Sequence, residues 1–230
     1  MTFHRRMKPG GVIVISRLIL LLLTAWIPAG SPAAVPEDTL QVKEVPVVQP
    51  VISVFFLQKV TNETVGMLLS EIEKRIQDHD PASINLFISS TGGNVNAAMA
   101  AYHYLRSLPL PLQTYNLATV SSSANLLYCA GDKRYSFPAS KFLFHNVHSD
   151  PERMTAEELK VSTENLLINK KQILGVYGEC MQGPEDSLTE LLEVGAVMLP
   201  VEAKNRGLVD EIISRRPRSA FEFVLNISPK

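Results

Sequence analysis

Cysteine is nearly absent from this chain: Cys129 and Cys180 are the only two in 230 residues. Two thiols exclude the multi-bridge frameworks of small secreted domains. They could pair in an oxidising compartment, but two buried free thiols are the expected state, because free cysteine packs as a small hydrophobe. Low-complexity segments and solenoid-period repeats are also missing. So is a phosphate-binding glycine loop for ATP. The five histidines are scattered without metal-ligand spacing, so neither a metal nor a cofactor is expected. No clean apolar run reaches the about 20 residues needed to cross a bilayer; the run Leu18–Ile27 is short, and Arg17 interrupts its extension toward the N-terminus. Residues 1–33 contain no acidic side chain, only Arg5, Arg6, Lys8 and Arg17. The rest carries 18 basic against 23 acidic side chains. That mildly acidic balance gives no electrostatic reason to bind nucleic acid.

What is present in residues 1–33 is an address. A positive end, a short apolar stretch and the small-residue segment PAGSPAAV follow in the order of a secretory signal. Ser31 and Ala33 suit the −3/−1 pair, with cleavage before Ala34. An uncleaved anchor in the inner membrane is the alternative. The expectation is export to the periplasm or beyond. Residues 34–50, with three prolines, read as a linker, and residues 51–230 as one folded domain. A hydrophobic content of 46% against 20% charged residues supports a sizeable core.

In that body, apolar and β-branched runs predict strands at Val51–Leu57, Ile84–Ile88 and Leu112–Val120. Helical spacing predicts Asn62–Gln77 and Asn94–Leu108 between them. A serine-opened helix is expected over Ser121–Ala130. Short strands follow at Lys133–Phe137 and Lys141–Asn146, then a long helix over Thr155–Leu174 opened by the capping pattern TAEEL. Short helices at Leu188–Val194 and Val201–Arg206 precede a strand from Gly207 to Ile213. Strands alternating with helices predict an α/β fold with a mainly parallel sheet, whose ligands sit beyond the carboxyl ends of the strands.

Three features at those ends could carry acyl-transfer chemistry, which needs a nucleophile, a base and donors for an oxyanion. Gly92-Gly93 closes a strand and opens a helix, Ser121–Ser123 does the same one strand later, and His145 ends the strand KFLFHN. Each alone has an ordinary reading: a tight turn, a helix cap, a packed histidine.

Their order and spacing, in INLFISSTGGNVNAAMAAYHYLRSLP, ATVSSSANLLYCAGDKRYSFPASKFLFHN and the closing AKNRGLVDEII, resemble the proteolytic subunit of the Clp protease. The resemblance runs from about Phe55 to Ile213. It implies the ClpP/crotonase-like fold of stacked βαβ units with a long oligomerisation helix, here Thr155–Val176, and a homo-oligomeric ring that cuts peptides or unfolded proteins. By position it makes Ser122 the nucleophile, His145 the general base, and the backbone N–H groups of Gly93 and Ser123 the oxyanion donors. Thr91 stands where the family usually has proline, and two residues are missing around Gly131–Arg134. The family's triad aspartate has no counterpart between Thr189 and Val201; Glu193 is the nearest carboxylate, and Asp150 reads as a solvated loop charge. Lys133 and Lys141 raise a Ser–Lys alternative, set aside because His145 falls where the pattern wants it. An exported enzyme meets no ATP, so an ATPase partner is not expected. The rival reading is a scaffold or binding subunit that kept the fold and lost activity. A crotonase-type thioester enzyme is a third.

Overall fold

The computed structural model describes residues 49–147 and 155–228. The signal and most of the linker fall outside the described residues. The body opens with β1 (Val51–Phe56), α1 (Asn62–His79), β2 (Ser83–Ser90) and α2 (Val95–Arg106). It continues through β3 (Leu112–Ser121), α3 (Ala124–Cys129), β4 (Lys133–Ser136) and β5 (Lys141–Leu143). Then come α4 (Ala156–Cys180), α5 (Glu185–Val194), β6 (Val197–Met198), α6 (Pro200–Asn205), β7 (Glu211–Ile212) and β8 (Glu222–Ile227). Three helices, α1, α2 and α4, start where a side chain takes up a free amide, whereas α3, α5 and α6 have no side-chain cap. Thr61 and Thr155 make capping boxes with Thr64 and Glu158, and Asn94 accepts from the Ala97 N–H.

The main sheet runs β6-β5-β3-β2-β1-β8 and is parallel except for the β5–β6 pair. Ten-residue β3 is long enough to serve two partners. Its first half pairs with β4, from Gln113↔Lys133 to Asn116↔Ser136, and its end pairs with β5, from Thr119↔Lys141 to Ser121↔Leu143. The register against β2 shifts between Ile88 and Ser90 at the same level. So the carboxyl ends of β2, β3 and β5 are brought together at one edge, which is where the chemistry-bearing residues lie.

Strand alternation sends Ile52, Val54 and Phe56 into the core with Leu68 and Ile72 of α1 and Ala98 and Ala101 of α2. The intervening residues build a ladder on the other face. Phe55, Phe87, Tyr115 and Tyr135 stack across four strands with ring centroids 4.8, 4.4 and 4.8 Å apart. Arg216 lies 5.9 and 5.8 Å from the Phe55 and Phe87 rings.

Four expectations are corrected. The cysteines are not free thiols: Cys129 and Cys180 form a disulfide with Cα atoms 5.5 Å apart. They are the last residues of α3 and α4, and a separation of 51 residues hides that the two helix ends abut. The strand from Gly207 shrinks to Glu211–Ile212, because Gly207 turns at φ 74° and Asp210 is drawn aside to accept the Arg134 N–H at 2.8 Å. β5 stops at Leu143, two residues short of His145. Strand β8 lies beyond the expected elements; it adds to β1 with Leu225 and Ile227 turned inward. Among the described residues no helix is long and apolar enough to cross a membrane.

Candidate active site

Ser122 is the first of the two residues between β3 and α3, with φ +56°. Among the described residues only Asp80 shares a positive φ without being glycine. A side chain in this region costs about 1–2 kcal/mol, so the surroundings must hold it there. They do so through one carbonyl. Leu143 O accepts the Ser122 N–H at 2.9 Å and the Asn125 Nδ2–H at 2.9 Å. The elbow is thereby fastened to β5, two residues before His145. A sharp strand-to-helix turn of this kind lifts a serine hydroxyl clear of the backbone.

The glycine turn packs directly on that elbow. A Cβ on Gly92 would stand 2.5 Å from Ser121 O and 2.8 Å from Ser122 Cβ; one on Gly93 would stand 2.3 Å from Val60 O. Only glycine fits either position. Val60 clamps the turn from the far side: its N–H donates to Gly92 O at 2.9 Å and its carbonyl accepts from Asn94 N–H at 2.8 Å. The N–H groups of Gly93 and Ser123 take part in none of the hydrogen bonds among the described residues. Two free amides on touching turns are what a developing oxyanion requires.

Ser122, Ser123, Gly93 and His145 all line one cavity of about 300 Å³, together with Val95, Ile173, Tyr177 and Leu192. His145 is half-buried. Its Nδ1 lies 2.9 Å from the carbonyl of Asn146. A carbonyl only accepts, so the bond puts the proton on Nδ1 and leaves Nε2 as the basic nitrogen. That is the tautomer a general base needs. Burial holds the Tyr177 phenol far above its ordinary pKa, with the Asn125 side chain pulling the other way. It therefore stays a neutral hydroxyl on the cavity wall.

The structure does not bring Glu193 into this lining. On α5 it pairs with Lys170 at 2.8 Å and is more than half exposed. Asp150 and His148 lie outside the described residues. Lys141 lines a neighbouring groove rather than the cavity, and Lys133 is exposed on β4. Sequence reading missed Asn125, Tyr177 and Lys59. Asn125 carried a signal, being a fully buried amide inside the otherwise apolar ANLLYC helix. Its Oδ1 and the buried Ser123 Oγ have no hydrogen-bond partner among the described residues. No group of side chains suited to a metal ion occurs among the described residues.

Comparison with known proteins decides the family. The Clp protease family model matches residues 48–216. The chain belongs to the Clp protease family. Family relatives include an ATP-dependent Clp protease proteolytic subunit of Bdellovibrio bacteriovorus, 26% identical over 161 residues, covering 68% of this chain and 76% of that protein. Proteolytic subunit 2 of Chlamydia muridarum is 27% identical over 159 residues, covering 68% and 78%. Among solved structures, a ClpP1 variant from Listeria monocytogenes superposes with a TM-score of 0.64 at 18% identity, covering 71% of this chain and 92% of that one. That likeness concerns the fold. Membership in the Clp protease family carries serine-peptidase chemistry as the family activity.

Proposed function

We propose that this protein hydrolyses peptide bonds through an acyl-enzyme on Ser122. His145 Nε2 takes the hydroxyl proton as Oγ attacks the scissile carbonyl. The N–H groups of Gly93 and Ser123 donate to the oxyanion. The imidazolium returns its proton to the leaving amine, and water admitted to the cavity reverses the sequence to release the acid. The observation that carries this reading is the convergence of a positive-φ serine, two unpaired amides and a histidine whose Nδ1 meets a backbone carbonyl on one cavity.

The reading extends to setting. A homo-oligomeric ring fits the first half of α4, where Leu159, Leu167 and Ile168 are each at least half exposed on a helix whose buried residues are confined to Ile173–Cys180. Export is supported by the signal-like residues 1–33 and by the Cys129–Cys180 bridge, since cytosolic thiols are kept reduced. Without ATP outside the membrane, the substrates are short peptides or chains already unfolded. Glu193, engaged by Lys170, favours a second reading in which the fold serves as a scaffold of low activity.

Hydrolysis of a quenched peptide mixture by the purified oligomer, with no nucleotide added, separates the two. Turnover that disappears in Ser122→Ala supports the peptidase. An intact oligomer without turnover, or turnover equal in Ser122→Ala, leaves the scaffold.

A further inference from the structure

Beside the catalytic cavity lies a second groove of about 640 Å³ that shares Lys59 and Thr91 with it and reaches Ser121, Leu143 and Lys141. Its lining holds two lysines, several hydroxyls and no carboxylate. Among the described residues neither ammonium is in an ion pair.

Both lysines are held by the elements that build the active site. Lys141 begins β5 and pairs in register with Thr119, two residues before Leu143, the residue whose carbonyl fastens Ser122. Two residues along a strand are about 7 Å. Lys59 precedes Val60, which clamps the Gly92-Gly93 turn, and its own carbonyl accepts from Thr64 Oγ1 at 2.7 Å. Neither backbone can drift without disturbing the elbow or the oxyanion turn.

We infer that Lys59 and Lys141 are specificity residues that select a carboxylate in the substrate, one to three residues from the scissile bond and on one side of it. The inference rests on the peptidase reading and names its substrate class: acidic peptides, or short peptides whose terminal carboxylate falls at that distance. An extended chain advances about 3.3 Å per residue, so a carboxylate two residues from a scissile carbonyl at Ser122 lies about as far from it as Lys141 lies from Leu143 along β5. With no competing acid in the groove, both ammonium groups are available to it.

The test uses matched peptides with Glu or Gln at each position flanking the bond, each with a free or amidated C-terminus. Binding is read by fluorescence anisotropy on Ser122→Ala, where nothing turns over. Cleavage positions are mapped on the wild-type protein, and fluorophosphonate labelling reports serine reactivity separately. Lys59 and Lys141 are both exposed, and two exposed charge contacts should favour the Glu peptide about five- to tenfold at low salt. The preference should shrink toward unity in high salt and disappear in Lys59→Glu/Lys141→Glu. The amidated set assigns it to side chain or terminus. Equal binding of Glu, Gln, acid and amide peptides, no measurable binding of any of them, or a preference untouched by the double reversal overturns the inference. Reactive serine without the preference sinks this inference alone; preference without a reactive serine sinks the peptidase reading instead.

Discussion

Replacing Gly92 by alanine probes whether the two turns depend on each other. Gly92 has φ +81°, where a side chain costs about 1–2 kcal/mol. The new methyl would also meet Ser121 O at 2.5 Å and Ser122 Cβ at 2.8 Å. Neither is the end of a flexible side chain, so relief requires backbone movement, an overpacking cost of about 1–3 kcal/mol. Together the variant should lose about 2–5 kcal/mol of stability. The atoms displaced belong to the elbow, and a shift near 1 Å at a nucleophile lowers turnover by about 10²-fold. Gly66 is the control. It lies within α1, and a methyl added there would meet nothing within 4 Å. Gly66→Ala should therefore gain about 0.5–1 kcal/mol and leave chemistry alone. Urea denaturation gives the stabilities, and the rate of fluorophosphonate labelling gives the chemistry. Wild-type labelling by Gly92→Ala at unchanged stability would refute the packing argument.

His145→Ala should slow acylation of an ester substrate by about 10²–10⁴-fold with little change in folding, read by single-turnover kinetics. The bridge between Cys129 and Cys180 closes a long loop, and the chain-entropy estimate puts its contribution near about 4 kcal/mol; denaturation with and without reductant should show a loss of that order, absent in the Cys129→Ala/Cys180→Ala variant. Glu222 is pushed up by burial but held below its usual pKa overall by hydrogen bonds from Arg216 and Ser53. A carboxyl with a depressed folded pKa stabilises above its unfolded value and loses that contribution as pH falls through the folded one. Glu222→Gln should therefore be destabilised near neutral pH, and the gap from wild type should close in acid, as followed by melting temperature against pH.

Periodicity and turn chemistry are enough for β1 through α3, because strands buried on both faces read as apolar runs and α1 and α2 carry side-chain caps, although the serine cap expected for α3 does not form. The long helix is legible from TAEEL but runs on to Cys180, since its last turns are anchored by Ile173, Val176 and Tyr177 on the body rather than by local pattern. β8 escapes notice although Leu225 and Ile227 alternate with Val224 and Asn226; the strand exists because β1 offers it an edge, a long-range fact. At the site, Ser122, Ser123, Gly93 and His145 are assigned through the resemblance to the Clp family, and the structure puts all four in the lining of one cavity. Lys59, Asn125 and Tyr177 are not assigned that way, because each reaches the site or its support through contacts made across separate elements. Glu193 is reached by counting along the chain, and counting does not register that Lys170 stands beside it on α4.

Mass mapping of the folded oligomer after diisopropyl fluorophosphate treatment tests the central claim most directly. The account predicts one adduct per chain, on the residue-122 hydroxyl, formed far more slowly when residue 145 is alanine. Absence of that adduct, or an adduct on another serine at a rate indifferent to residue 145, would contradict it.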